Sequence, residues 1–223
     1  MNLYGASTVM TRLGTETIAL TQETEYPWSG RVRIYVGRCG AKEFGLKLRV
    51  PGWISANNNP ATIDSVRING RSVPVSGKAG SYVELKRAWR PGDSVEFDLP
   101  MAVRLIEANP LVEEDLGQVA VQRGPIVYCL ESPDLPAGVR LRDVRIPADI
   151  ELAARYDRRL LGGVTVVEGK ALARPQADWN DQLYRQFEPR ASKPINLRLI
   201  PYSVWQNRGP SEMSVWLPLA AAP

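Results

Sequence analysis

The chain contains no histidine. That absence excludes a Ser-His-Asp triad, a Cys-His dyad and any metal site built on imidazole. It also removes the one side chain that ordinarily titrates between pH 5 and 8. Cysteine is scarce: Cys39 and Cys129 are the two present. Two thiolates are too few for a cysteine-only zinc site. No spacing demands a disulfide, so they read as two reduced thiols. No run of 18 apolar residues occurs, so no segment has the length of a membrane span and no membrane partner is expected. No Lys/Arg-rich run occurs either, which argues against a nucleic-acid partner. The first residues, Met1-Asn2-Leu3-Tyr4-Gly5, lack the basic start and apolar core of a signal peptide. The expectation is a soluble protein, with cytoplasm and periplasm both open.

What is present is ordinary globular material. Hydrophobic residues make up 44% and charged residues 23%, enough to build a core and too apolar for wholesale disorder. The 28 basic and 24 acidic side chains leave a net charge of only +4. Gly and Pro number 18 each, which favours many turns over long helices.

The dominant pattern is short alternating runs between turn residues. Thr15 to Leu20 alternates, and Arg31 to Val36 puts Val32, Ile34 and Val36 on one face. Phe44, Leu46, Leu48 and Val50 repeat the pattern. Asn69-Gly70 is a two-residue hairpin signal. Ser81 to Leu85 and Ser94 to Leu99 alternate on either side of Trp89-Arg90-Pro91-Gly92-Asp93, a reversal with Pro and Gly in place. About seven strands fit before residue 100. The pattern resumes beyond it, with Val119, Val121, Ile126, Val127 and Leu130 as core candidates. Ile150 to Tyr156 reads either as two helical turns or as a strand turning at Asp157 into Val164-Thr165-Val166-Val167; its neighbours favour the strand. Arg174 to Pro194 has no clear period and exceeds ordinary loop length, so it is expected to cover a surface or contact a partner. The architecture expected is all-β with little helix: two consecutive antiparallel β-sandwich domains, residues 1–100 and 101–223.

No constellation reads as catalytic. Glu113-Glu114-Asp115 beside Gly117 looks like a solvated loop, and Glu23 and Glu25 like the exposed end of a strand. A glycosidase needs two carboxyl groups facing each other across a cleft. Cys129 sits in the apolar run Tyr128-Cys129-Leu130, which suits a packing residue rather than a low-pKa nucleophile. Cys39, between Gly37 and Gly40, reads as an exposed thiol. Trp28, Trp53 and Trp205 neighbour Pro or Gly bends, as corner-packing tryptophans do. With Tyr26, Arg123 and Arg208 they form the candidate set for domain docking or sugar contact. A free-standing carbohydrate-binding module using exposed tryptophans is the alternative reading.

Particular residues say more than the period does. Gln22 to Gly30 (QETEYPWSG), Leu48-Arg49-Val50-Pro51-Gly52-Trp53, Trp89 to Asp93 (WRPGD), Leu99 to Arg104 (LPMAVR), Arg123 to Glu131 (RGPIVYCLE), Leu160 to Val164 (LLGGV) and Pro201 to Gly209 (PYSVWQNRG) follow one another in order. Together with Asn2-Leu3-Tyr4 and Ile68-Asn69-Gly70 they resemble the C-terminal region of glycoside hydrolase family 127, the β-L-arabinofuranosidase-like enzymes. The resemblance implies an α/α-barrel catalytic domain N-terminal to β-sandwich domains, with a zinc-bound cysteine nucleophile and a catalytic glutamate in the barrel. No residue of this chain matches those positions: there is no adjacent cysteine pair and no Glu-x-Cys. The chain is therefore expected to carry no catalytic, cofactor-binding or metal-binding residue of its own. Its partners are expected to be the N-terminal barrel and a second copy in a homodimer. Met1 stands where the family tends to have valine, which implies an internal or truncated start.

Overall fold

The computed structural model describes residues 1–40, 42–54, 63, 66–176 and 179–220. They divide into two compact units, Met1–Ala102 and Val103–Pro223. Among the described residues the helical structure consists of three-residue 3-10 turns such as Gly52–Ile54 and Tyr202–Val204, and the rest of the regular structure is strand.

The first unit contains β1 (Ser7–Leu13), β2 (Glu16–Thr24), β3 (Arg31–Arg38), β4 (Phe44–Arg49), β5 (Val66–Ile68), β6 (Arg71–Val73), β7 (Tyr82–Arg87) and β8 (Ser94–Asp98). One antiparallel sheet runs β1-β2-β3-β8-β5-β6, and β4 pairs with β7 as a second layer. Alternation decides which face is covered. In β3, Val32, Ile34 and Val36 are buried. In β7, Val83 and Leu85 are buried while Tyr82, Glu84 and Lys86 face out. The inner residues of both layers belong to one core cluster with Leu46, Leu48, Val95, Phe97 and Trp89, which is sandwich packing. Trp89 is buried, and its indole N–H donates to the Phe44 carbonyl at 3.0 Å.

The Asn69-Gly70 turn joins β5 to β6, with φ of 51° and 78° as a two-residue hairpin of this hand requires. Asn69 does a second task. Its Nδ2 donates to Asp93 Oδ1 at 2.7 Å, and its Oδ1 accepts from the Ser94 amide at 2.8 Å. This pins the hairpin to the turn before β8. Asp93 is 7% exposed, and burial pushes its carboxyl up. The Asn69 amide, the Arg90 N–H at 2.9 Å and the Arg87 and Arg90 charges outweigh that and hold it below the usual range.

Among the described residues eight strands precede residue 100 rather than seven, because β1 joins the sheet edge. Every residue of β1 is exposed. With neither face covered, nothing in its sequence needs to alternate, so period-2 reading passes over it.

The second unit contains β9 (Val103–Glu107), β10 (Gln118–Arg123), β11 (Ile126–Glu131), β12 (Val144–Arg145), β13 (Ala153–Asp157), β14 (Val164–Ala173), β15 (Lys193–Pro201), β16 (Met213–Ser214) and β17 (Leu217–Pro218). They form one hydrogen-bonded path, β12-β14-β15-β11-β10-β17, with β9 on β10, β13 on β14 and β16 on β11. The strands enclose a second cluster from Val119, Tyr128, Leu130, Val144, Val167, Leu197, Leu199 and Leu217. The ambiguous segment is the strand β13, with Ala153↔Glu168 through Asp157↔Val164 in register and Gly162-Gly163 in the turn. One core expectation fails in β11: Val127 is 39% exposed, while Ile126 is half-buried and packs against the cluster. The covered side chains there are Tyr128, Cys129, Leu130 and Glu131, because the far end of β11 is overlaid by β15, β16 and the segment that follows Pro201.

Gly30 supplies a sharp test of the first unit. A Cβ added there would stand 1.9 Å from the Leu99 carbonyl oxygen, in the contact where the Leu99 amide donates to Gly30 O. Gly30→Ala is expected to lower stability by about 1–3 kcal/mol or more in urea unfolding. Gly52→Ala, which meets nothing within 4 Å, should stay within about 0.5 kcal/mol of the parent.

Candidate functional site

Tyr26 and Trp53 come together. The Tyr26 amide donates to Thr24 Oγ1 at 3.0 Å as β2 ends, and the Tyr26-Pro27 peptide is cis. Trp53 lies on the 3-10 turn after β4. Their rings stack at 6.5 Å with planes 28° apart, and Tyr26 meets the edge of Tyr4 at 6.3 Å. Tyr4 in turn packs edge-on against Phe97 at 5.2 Å and donates from its hydroxyl to the Arg49 carbonyl at 2.5 Å. The pair lines an open groove of about 440 Å³ with Asn2, Leu3 and Arg49. Asn2 Oδ1 accepts from Tyr82 OH at 2.8 Å and Arg49 Nη1 at 3.3 Å, which fixes the groove wall. Burial pushes the Tyr26 phenol above its ordinary pKa, tempered by a hydrogen bond with the Trp53 side chain, so the group stays neutral. Trp28 sits beside them in sequence, half-buried, its amide donating to the Glu25 carbonyl at 2.9 Å. The groove therefore offers neutral aromatic surface with a polar rim, suited to contact rather than to proton transfer.

Arg208 is held in a buried ionic lock in the second unit. It faces Glu131, which is fully buried at the end of β11, and Asp134 in the next turn. Arg208 Nε and Nη2 donate to Glu131 Oε2, and Nη1 and Nη2 donate to the two Asp134 oxygens at 2.9 and 2.5 Å. The other Glu131 oxygen accepts from the Gln206 amide and the Ser211 hydroxyl, each at 2.7 Å. Burial raises the Glu131 carboxyl, yet these donors and the Arg208 charge win, so it sits below the ordinary carboxylate range. Trp205 is half-buried in the same segment, and its amide donates to Tyr202 O at 3.3 Å. Arg123, at the end of β10, hydrogen-bonds the Tyr128 hydroxyl. Sequence reading selected Arg208 but not its partners. Glu131 ends an apolar strand, where a carboxylate reads as a solvated terminus; two positions after the buried Cys129, its strand phase was the available signal of burial.

The remaining candidates separate. Glu23, Glu25, Glu113 and Glu114 are exposed. Cys129 is buried, and burial followed by the Glu131 charge pushes its thiol up to about 12, out of reach of a thiolate nucleophile. Cys39 corrects an expectation: it is half-buried rather than exposed, because the turn at Trp89 covers it, and its thiol donates to the Trp89 carbonyl at 3.2 Å. One thiol thus stands in each unit. Among the described residues no group of three His, Cys, Asp or Glu lies together as a metal site would need. The described residues do not offer the donor set of the zinc centre that the family resemblance implies for its barrel.

The comparisons with known proteins bear on both units. Residues 1–101 match the profile of the "Beta-L-arabinofuranosidase, GH127 middle domain", and residues 103–218 that of the "Glycoside hydrolase family 127 C-terminal domain". The chain belongs to glycoside hydrolase family 127. It is 37% identical over 209 residues to a non-reducing end β-L-arabinofuranosidase of Bifidobacterium longum subsp. longum, an alignment that takes in 89% of this chain and 30% of that protein. Among solved structures, a family 127 β-L-arabinofuranosidase from Geobacillus stearothermophilus T6 is 41% identical with a TM-score of 0.85. It covers 98% of this chain and 33% of its own. A second family 127 β-arabinofuranosidase structure is 34% identical with a TM-score of 0.83, over 98% of this chain and 34% of its own. The chain thus spans about a third of the length of these relatives. No helix among the described residues is long and apolar enough to cross a membrane.

The ionic lock generates a pH prediction with a definite sign. Glu131 has a depressed native pKa, so its contribution is present above the unfolded carboxylate range and is lost as pH falls through the lower native value. Arg208→Ala leaves a buried carboxylate uncompensated and is expected to cost about 3–5 kcal/mol at pH 7. Urea unfolding at pH 7 and near pH 4 should show that penalty shrinking in acid, as Glu131 protonates more readily in the variant.

Proposed function

We propose that this chain is the non-catalytic C-terminal β-sandwich region of a β-L-arabinofuranosidase-like glycoside hydrolase, supporting an α/α-barrel catalytic domain that lies outside these residues. The observation that carries the reading is coverage. The two family profiles together take in residues 1–101 and 103–218, while the chain corresponds to about a third of each relative.

The electrostatics support it. A glycosidic general acid needs a carboxyl whose pKa is raised, opposite a second carboxylate on an open cleft. The carboxyls with resolved shifts here, Asp93, Glu131, Asp157 and Glu168, are all lowered, each by arginine or amide donors. They are engaged in joining strands and turns. The Asn2-Tyr26-Trp53 groove, which borders the chain's first residues, is the surface through which the first sandwich would contact the barrel. Leu3 beside it is 77% exposed and would be covered there. A homodimer formed through the sandwiches is part of the same proposal.

The test is enzymatic. This chain, purified, should release no chromophore from an aryl β-L-arabinofuranoside with or without added zinc. Supplying the barrel polypeptide in trans should restore turnover, and Trp53→Ala should weaken that restoration by about tenfold through loss of the aromatic contact. Hydrolysis by the chain alone would overturn the proposal.

A further inference from the structure

A groove of about 540 Å³ opens in the second unit between the 3-10 turn Leu141–Asp143 and the long connection from β14 to β15. Its volume is that of a small-ligand cleft, roughly 300–1,000 Å³. Five of its lining side chains are arginines, against Asp143 and Glu188. Both acids are engaged. Asp143 Oδ2 accepts from the Arg140 amide at 3.2 Å and from Gln176 at 3.3 Å, and Glu188 pairs with Arg190 at 3.6 Å. Arg140, Arg142 and Arg174 are exposed and make no ion pair among the described residues. The lining balance of +3 stands out in a chain whose total is +4. It stays positive when Asp178, which lies nearby in sequence outside the described residues, is counted against it.

Aromatic surface accompanies the charge. Trp179 is 48% exposed with the Arg185 guanidinium 4.4 Å above its ring, and Phe187 is 73% exposed. Guanidinium forks select planar carboxylates, and exposed indole and phenyl faces stack on the apolar face of a sugar ring. The two chemistries meet in one ligand class. We infer that this groove binds a carboxylate-bearing oligosaccharide, a uronate chain, with Arg142 and Arg174 on carboxylates and Trp179 against a ring. The saccharide half of the inference rests on family membership; the anionic half rests on the groove.

The full chain would be titrated calorimetrically with trigalacturonate, neutral arabinotriose, triglutamate and inorganic phosphate. Trigalacturonate is expected to bind about tenfold tighter than arabinotriose and to weaken as salt rises. Arg174→Lys, which keeps the charge and loses the fork, should weaken it several-fold, and R142A/R174A by about tenfold. Trp179→Ala should weaken trigalacturonate and leave phosphate unchanged. These residues are exposed, so thermal melting should match the parent, and W179A and R174K keep the test open if the double variant does not fold. No binding, equal binding of arabinotriose, triglutamate as tight as trigalacturonate, or phosphate as tight with no effect of W179A would each overturn the inference. None of these outcomes touches the turnover assay, so the scaffold reading stands or falls separately.

Discussion

An antiparallel sheet buries one face only if another layer covers it, and that requirement governs this chain. In the first unit β4 and β7 provide the cover for β3, β5 and β8. In the second, one nine-stranded sheet, a six-strand path with three strands paired beside it, packs around its own cluster. Covering a face removes water from the strand ends as well, and each strand end brings polar backbone and turn groups with it. The buried polar residues answer that need. Asp93 sits where the Asn69 hairpin meets the start of β8, and Glu131 where β11 meets the segment after β15.

Both carboxylates are held in the same way: burial opposes their charge, and donors from a distant part of the chain overcome it. Asn69 lies 24 residues from Asp93, and Arg208 lies 77 residues from Glu131. Such pairs stabilise less than an apolar replacement of equal fit could. Their value is directional, since each satisfies a donor set that one arrangement of loops alone presents. Each unit thereby acquires a fixed strand end.

Much of the fold was legible because period 2 survives wherever a strand has one covered face. Val32, Ile34 and Val36 announce β3, and the Asn69-Gly70 pair announces a hairpin before any contact is known. β1 was illegible for the converse reason: exposed on both faces, it has no pattern to impose. Val127 was assigned inward because an apolar run of five hides its own phase, and only the neighbours of β11 reveal which residues are covered. Of the site, Trp53 was chosen from its Pro and Gly bend, Tyr26 stood in the same candidate set, and their rings do stack. The Arg208 partners were not chosen, since a pairing across 77 residues leaves no trace in local spacing. The β14–β15 connection was marked by its length and its lack of period, whereas the clustering of its arginines with Arg140 and Arg142 needs the folded chain.

The two grooves differ in a way that bears on their uses. The Tyr26–Trp53 groove is walled by side chains already hydrogen-bonded to one another: Asn2 to Tyr82 and Arg49, and Tyr4 to the Arg49 carbonyl. Its polar groups have little left to offer a soluble ligand, while its ring faces and the exposed Leu3 still present apolar area, the profile of a surface that another domain covers. The arginine groove is the reverse. Its acids are engaged, and Arg140, Arg142 and Arg174 keep their guanidinium donors in water. A domain interface closing over those cations would have to desolvate them without compensation, whereas an anionic ligand brings the compensation with it. Charge that has no ion pair among the described residues therefore marks the arginine groove off from the Tyr26–Trp53 groove, even where both are lined with tryptophan.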